Sequence, residues 1–338
     1  MAVRMKDIAE DLGVSVVTVS KVLRNHADIS AETRARVLKR MKELNYQPNL
    51  AARGLVTGKS YIMGLVVPDL VHPFFAQVAK KMSYVLRDHG YSLVTSSSNG
   101  EAEIEQQEIE RMLARRVDAL FVASTQWSVE NLRPSIEEQS TPYILIDRKF
   151  TGLTANFVGV DDEAVGAIAT EHLIDIGCRH IAHIGGPEVS TAIGRVEGFR
   201  KAMNRHGREV PPGSIIRGEQ GDDASDLFGH QAMQQMLQRQ PRPDGVFCFN
   251  DLVAMGAMRA ILDAGLRIPE DIAVVGCGNA FYSDFLRVPL TSVDQNSDAI
   301  GEHAVNLAVK LIGATAPVRP ESILLQPTLV VRASSLRH

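Results

Sequence analysis

Much of what would mark an enzyme is missing from these 338 residues. Only three cysteines are present, Cys178, Cys248 and Cys277, and their spacing matches neither a zinc pattern nor a CxxC redox pair. Cys248 sits in the apolar run Val246-Phe247-Cys248-Phe249, which reads as a buried core thiol. GxSxG and HExxH are absent, as is any cysteine–histidine cluster. His172, His180 and His183 are close in sequence, but across a helix end and a strand they are badly placed for one metal. No bound metal, cofactor or catalytic residue is expected. No apolar stretch reaches 18 residues, and the N-terminus lacks an apolar signal-type segment. That predicts a cytoplasmic chain without a membrane partner. Short-period repeats and low-complexity segments are also lacking.

Two glycine motifs invite a nucleotide and fail. Gly54-Leu55-Val56-Thr57-Gly58-Lys59-Ser60 has three residues between its glycines, where a phosphate loop needs four, and no strand precedes it. Gly276-Cys277-Gly278 follows a strand, but position 281 is Phe, so the third glycine of a dinucleotide fingerprint is missing.

What is present is uneven. The net charge is −4, yet residues 1–60 carry eleven Lys/Arg against six Asp/Glu, and the remainder 25 against 34. A basic head on an acidic body suits a head that meets phosphate. The head opens with two short helices, Lys6–Leu12 and Ser15–Leu23. Gly13 permits the sharp turn between them and Ser15 serves as N-cap. Ile8, Ala9, Leu12, Val14, Val19 and Val22 can form one small core. Val16 and Val17 either add to that core or face outward. Adjacent positions on a short helix cannot both point inward while Val19 and Val22 do, which favours the outward reading. This is a helix-turn-helix, offering the start of its second helix to a DNA major groove. An apolar side chain there meets thymine methyl groups, and Lys21 meets guanine acceptors or phosphate.

A third helix is expected from about Ala31 to Leu44, with Ser30 as its cap and Val37, Leu38, Met41 and Leu44 as its stripe. Asn49–Leu55 is a two-turn segment too short to be stable alone, a linker that orders on binding. Leu55 is either a staple onto the body or an apolar wedge pushed between base steps from the minor groove. From Tyr61 onward strands alternate with helices. Strands are expected at Ile62–Val67, Tyr91–Thr95, Val117–Ala123, Tyr143–Ile146, Phe157–Val160, His180–Ile184, Gly245–Phe249 and Ile272–Val275. Helices fall at Phe74–Asp88 and Glu101–Ala114, then near 162–176, 194–206, 224–239 and 251–264. This texture means βαβ units. Two doubly wound parallel-sheet lobes accommodate so many strands, with a ligand in the crevice at their carboxyl ends.

The residues also carry a family resemblance. The head words are Lys6-Asp7-Ile8-Ala9, Gly13-Val14-Ser15, Thr18-Val19-Ser20, Glu32-Thr33-Arg34, Leu44-Asn45-Tyr46 and Pro48-Asn49. The body words are His72-Pro73-Phe74-Phe75, Gly185-Gly186-Pro187, Gly194-Arg195 with Gly198-Phe199, Asn250-Asp251 with Ala254–Ala257, and Pro289-Leu290-Thr291. In these words and their order the chain resembles the lactose-repressor/galactose-repressor (LacI/GalR) family of bacterial transcription regulators. The resemblance implies a small all-α helix-turn-helix head and an α/β body like a periplasmic binding protein. It implies a homodimer on a pseudo-palindromic double-stranded operator, repressing carbohydrate-metabolism genes under control of a sugar or sugar derivative. The expected division is 1–47 for the head and 48–60 for a hinge helix and linker. Residues 61–338 form the body, with an N-lobe of about 61–161 and 292–322 and a C-lobe of about 162–291 and 323–338. The DNA-contacting positions it implies are Ser15, Val16, Val17, Thr18, Ser20, Lys21, Asn49, Ala52, Arg53 and Leu55. For the effector they are Phe74, Phe75, Asp147, Arg148, Asp161, Arg195, Asn250, Asn279 and Gln295.

One position departs from the family. Gly278 stands where a carboxylate commonly grips ligand hydroxyls. That departure predicts an effector that is anionic or lacks the matching hydroxyl. The alternative reading of the chain is a stand-alone sugar-binding protein or a sugar-active enzyme of the same body fold.

Overall fold

The computed structural model of the 338-residue chain describes residues 3–23, 26–46, 54, 57–126, 140–150, 152–218 and 225–337. It divides into two compact units, Met1–Ser60 and Tyr61–His338.

In the first unit three helices, α1 (Met5–Leu12), α2 (Val16–Leu23) and α3 (Ala31–Glu43), close on one small core. Ile8, Ala9, Val19, Val22, Val37 and Met41 are buried in it, and Leu12, Val14 and Leu44 pack partly buried around them. Gly13 ends α1 with φ of 63°, the left-handed conformation in which a Cβ is penalised. Ser15 caps α2, its Oγ accepting from the Thr18 amide at 3.0 Å, and Ser30 caps α3 through Thr33. Leu38, expected on the inner stripe of α3, is half exposed. Most of the expected hinge, including Asn49, Ala52, Arg53 and Leu55, lies outside the described residues.

The second unit holds two six-stranded sheets. The strands and helices in order are β1 (Ile62–Val67), α4 (Pro73–Asp88), β2 (Ser92–Ser97), α5 (Ala102–Ala114), β3 (Ala119–Val122), β4 (Tyr143–Ile146), β5 (Phe157–Val160), α6 (Asp162–Asp175), β6 (Ile181–Ile184), α7 (Ser190–Arg205), β7 (Ile215–Ile216), α8 (Asp226–Leu237), β8 (Gly245–Cys248), α9 (Asp251–Asp263), β9 (Ala273–Cys277), β10 (Thr291–Asp294), α10 (Ser297–Gly313), β11 (Ser322–Leu325) and β12 (Thr328–Val330). The N-lobe sheet runs β11-β5-β4-β3-β1-β2 and the C-lobe sheet β12-β10-β9-β8-β6-β7. All pairs are parallel except β10–β12. Both faces of each sheet are covered, which is why the strands read as nearly continuous apolar runs.

The chain crosses between lobes three times, and this shifts the lobe boundaries expected at 292 and 322. β10 pairs with β9, so residues 291–294 belong to the C-lobe sheet. β11 pairs with β5, so residues 322–325 belong to the N-lobe sheet. Backbone pairing, not the order of local motifs, sets where the crossing falls. α7 begins at Ser190, four residues before the expected start. Gly194 discourages a helix on propensity alone, but a Cβ there would lie 2.7 Å from the Asp162 Cβ, so close packing of α6 on α7 calls for it.

Candidate DNA-reading head and effector cavity

On the head, Ser15, Val16 and Val17 are exposed and Thr18, Ser20 and Lys21 half exposed, on the first turns of α2. Val16 is 41% and Val17 60% exposed, although both are aliphatic. Two neighbouring apolar side chains held in water at a helix start are available for base contact. Lys21 has a partner that sequence reasoning missed: its Nζ lies 2.5 Å from Asp28 Oδ2. The lysine holds the Asp28 carboxyl below its ordinary range by hydrogen bonding. In this structure the Lys21 ammonium is thus already engaged by a carboxylate.

The body carries a cavity of about 250 Å³ between its two lobes, at the carboxyl ends of the strands. Seven of the nine expected residues line it: Phe74, Phe75, Asp147, Arg148, Arg195, Asn250 and Gln295. Phe74 and Phe75 start α4, rings edge to face at 5.2 Å. Asp147 follows β4 in a left-handed conformation, φ 64°, uncommon for a residue with a side chain and a mark of functional sites. Burial pushes its carboxyl above the ordinary range, against the pull of Arg148 and Arg195 and a 3.5 Å hydrogen bond from Gln295. Arg148 Nη1 donates to the Ser124 carbonyl at 2.9 Å and its Nε lies 3.9 Å from Asp147.

Arg195 is 3% exposed. Its Nε donates to Asp162 at 3.0 Å, its Nη1 donates to the Phe249 carbonyl at 2.6 Å, and its guanidinium lies 4.5 Å over the Phe249 ring. The guanidinium is thus a fixed wall with its charge answered by Asp162. Burial is the main influence on Asp162 and pushes its carboxyl up, while Arg195 pulls it back.

Two expected residues lie elsewhere. Asp161 is the N-cap of α6, accepting from the Ala164 amide at 3.1 Å. A carboxylate committed to a helix start is not offered to the cavity. Asn279 is tied to Asp294 at 3.0 Å and to Arg332 at 2.8 Å. The Gly278 departure has a local explanation. Asp251, at the start of α9, is buried behind this turn and accepts from the Ala280 amide at 2.7 Å and Ser292 Oγ at 2.6 Å. Gly278 itself has φ of 124°, a backbone conformation that side chains rarely adopt, which disfavours a carboxylate residue at this turn.

The cavity also has walls that sequence reasoning missed, among them Asp69, His72, Thr191, Phe249 and Leu252. His72 Nε2 lies 3.2 Å from Asn250 Nδ2, joining the two lobes. The amide donates, so Nε2 accepts and the proton sits on Nδ1, which is buried without a partner. Burial holds His72 neutral, its pKa lowered to about 4. Thr191 Oγ1 is likewise buried and unpartnered. The signal was present: His72 precedes Pro73-Phe74-Phe75, and Phe249 ends the apolar run before Asn250, both at strand carboxyl ends. The three clustered histidines go three ways. His172 meets Ser335 at 2.7 Å, His180 is exposed, and His183 is buried against Phe247.

The chain is similar to known regulators over almost its full length. Residues 4–49 match the model of bacterial regulatory proteins of the lacI family, and residues 170–335 match that of a periplasmic binding protein-like domain. The HTH-type transcriptional repressor PurR of Histophilus somni (strain 129Pt) is 32% identical over 333 residues, 98% of each chain. The ribose operon repressor of Escherichia coli K12 is 32% identical over 334 residues, 98% of this chain and 99% of its own. Among solved structures, the lac repressor dimer bound to operator and the anti-inducer ONPF superposes with a TM-score of 0.86 at 29% identity, over all of both chains. The regulator CelR in complex with cellobiose gives 0.74 at 28% identity, over 98% of this chain and 99% of that one. Among the described residues no helix is long and apolar enough to cross a membrane. With a helix-turn-helix head and a two-lobed body matched end to end, the chain belongs to the lacI family of bacterial regulatory proteins and is a DNA-binding transcription regulator, not an enzyme.

Proposed function

We propose that the protein is a homodimeric, cytoplasmic repressor of carbohydrate-metabolism genes. Its operator affinity is set by a small neutral ring-shaped polyol in the interlobe cavity. Two heads related by a two-fold axis read two half-sites, so the operator is pseudo-palindromic. Ser15–Thr18, Ser20 and Lys21 make the major-groove contacts, and Asn49, Ala52, Arg53 and Leu55 the hinge contacts.

The observation that carries the effector class is the balance of charge in the cavity wall. Each guanidinium has a carboxylate of its own, Arg195 with Asp162 and Arg148 with Asp147, and Asp69 adds a further acid. An anionic effector, the alternative drawn from Gly278, finds Arg148 and Arg195, among the described residues, each already beside a carboxylate. A neutral ligand finds aromatic walls for its apolar face. For its hydroxyls it finds Asp147 and Asn250, with His72 and Thr191 in the same wall. The volume of about 250 Å³ falls below the roughly 300–1,000 Å³ of pockets for drug-sized ligands, which suits a single ring.

A thermal-shift panel of neutral monosaccharides beside their phosphorylated and oxidised forms tests this. A neutral monosaccharide at 100 times its Kd should add about 2.7 kcal/mol of stability. The same sugar should change operator affinity in a fluorescence anisotropy titration. Stabilisation by the anionic forms alone would overturn the effector class and leave the DNA-binding reading standing.

A further inference from the structure

A second cavity, of about 280 Å³, lies at the opposite end of the C-lobe from the interlobe cleft. The cleft takes residues that follow β6 and β8, namely Pro187, Phe249 and Asn250. The second cavity takes Ile181 and Ala182 at the start of β6 and Pro243 just before β8. The two sites therefore share a sheet but no lining residue.

Three arginines from three segments converge on this cavity: Arg179 before β6, Arg208 after α7 and Arg239 after α8. Arg208 and Arg239 are half-buried. Each is fixed by one guanidinium nitrogen donating to a backbone carbonyl, of Cys178 and Pro212 respectively. A carbonyl orients a guanidinium without neutralising it, and leaves its other N–H groups for a ligand. No carboxylate among the described residues forms an ion pair with any of the three. Glu209 is the acid in the lining, and it is exposed. The neighbouring Asp244 carboxylate is turned to the backbone amides of Arg179 and His180, at 2.8–2.9 Å. The backbone makes room for this arrangement: Gly213 has φ of 74°, and a Cβ there would lie 2.3 Å from Arg239 Nη1. Met203 and Met236 supply an apolar side.

We infer that this cavity binds the phosphate of a small phosphorylated metabolite, at a site separate from the interlobe cleft. Guanidiniums approaching from three segments match a tetrahedral group with several acceptor oxygens better than a planar carboxylate with two. The methionines accept a short apolar body beside that group.

Calorimetric titration of the full-length protein with inorganic phosphate and with pyrophosphate, in chloride buffers of matched ionic strength, tests this. Saturable binding is expected, and Arg179→Ala should weaken it tenfold or more. The Arg179 side chain is exposed, so folding is not at stake. Arg239→Lys, which keeps the charge and loses the planar fork, should also weaken it. Arg148→Ala, in the cleft, should leave it unchanged. Absence of saturable heat at millimolar phosphate would overturn the inference. So would equal affinity in Arg179→Ala and wild type, or loss of binding in Arg148→Ala.

Discussion

Arg195 shows how far a single side chain can be read before its surroundings are known. The motif Gly194-Arg195 with Gly198-Phe199 points to a cleft-facing cation, and Arg195 does line the cavity. The motif does not reveal Asp162, which holds the guanidinium from the neighbouring helix at 3.0 Å. Arg195→Ala therefore removes a cation from the cavity wall and strands a buried carboxylate. It should cost about 3–5 kcal/mol of stability, as breaking a buried pair does. Adding Asp162→Asn should recover much of that loss without recovering effector binding. Thermal unfolding and ligand titration on the single and double variants separate the two effects. Full recovery of both would make the arginine a structural tie alone.

His183 supplies the clearest pH dependence. It is stacked on Phe247 at a centroid distance of 4.6 Å, donates from Nδ1 to the Phe247 carbonyl at 3.0 Å, and leaves Nε2 buried without a partner. Burial lowers its pKa to about 4 from 6.5. Between these values the unfolded chain binds a proton that the folded one does not, so stability falls as pH drops from about 6.5 to about 4. The loss approaches roughly 3 kcal/mol below that window. His183→Gln should flatten the slope in denaturant unfolding series across this range. Comparing the two proteins cancels the opposing contributions of Asp147, Asp162 and Asp251, whose carboxyls burial raises. Parallel curves would contradict the assignment. On the head, Asp28 pairs with Lys21, so a DNA contact by that lysine would have to break this pair. Asp28→Asn should strengthen operator binding and steepen its salt dependence by about one counterion. Lys21→Ala should cost roughly 5- to 150-fold in discrimination if the lysine reads a base, and lose equally on operator and scrambled DNA if it touches phosphate.

At the scale of elements, helix packing is set by glycines whose role no local pattern discloses. A Cβ on Gly198 of α7 would lie 2.0 Å from the Glu163 carbonyl oxygen of α6, and one on Gly166 of α6 would lie 2.1 Å from the Arg195 carbonyl oxygen. The two helices touch backbone to backbone. Gly198→Ala should destabilise by about 1–3 kcal/mol through overpacking and weaken effector binding by displacing Arg195. Unchanged unfolding and ligand titrations would show that the helices can part freely.

The alternation of strands and helices up to β9 is legible in the sequence because each strand is buried on both faces and each helix carries a stripe. The exceptions are β7, with two residues, and past β9 the three-residue β12, both too short to carry a period. α10 has a helical stripe in Ile300, Ala304, Val305 and Ala308. That stripe does not say that the helix covers the N-lobe sheet while the preceding strand belongs to the other lobe. The same limit applies to the site. Aromatic and charged residues at strand ends stand out, whereas His72 with Asn250 is a pairing made only where the two lobes meet, and Asp251 behind Gly276 one made by the pairing of β8 with β9.

The molecule as a whole joins a basic head to an acidic body with a ligand-sized cavity, and each part has an independent physical signature. Binding to DNA should weaken steeply with salt through the Lys and Arg residues of positions 1–60. Leu55→Ala should lower specific operator affinity and bending while leaving the unfolding of the body unchanged, since a wedge offsets a few kcal/mol of unstacking per base step by allowing a bent duplex. Equal affinity and bending would reduce Leu55 to a staple. Selecting bound duplexes from a random library with the full-length protein, and sequencing them, asks whether α2 serves as a symmetric sequence-specific DNA reader. Enrichment of one pseudo-palindrome is expected, with that enrichment lost or altered in a Val16→Ser/Val17→Ser variant. Selection of no motif, or of an asymmetric site indifferent to those two valines, would contradict that role.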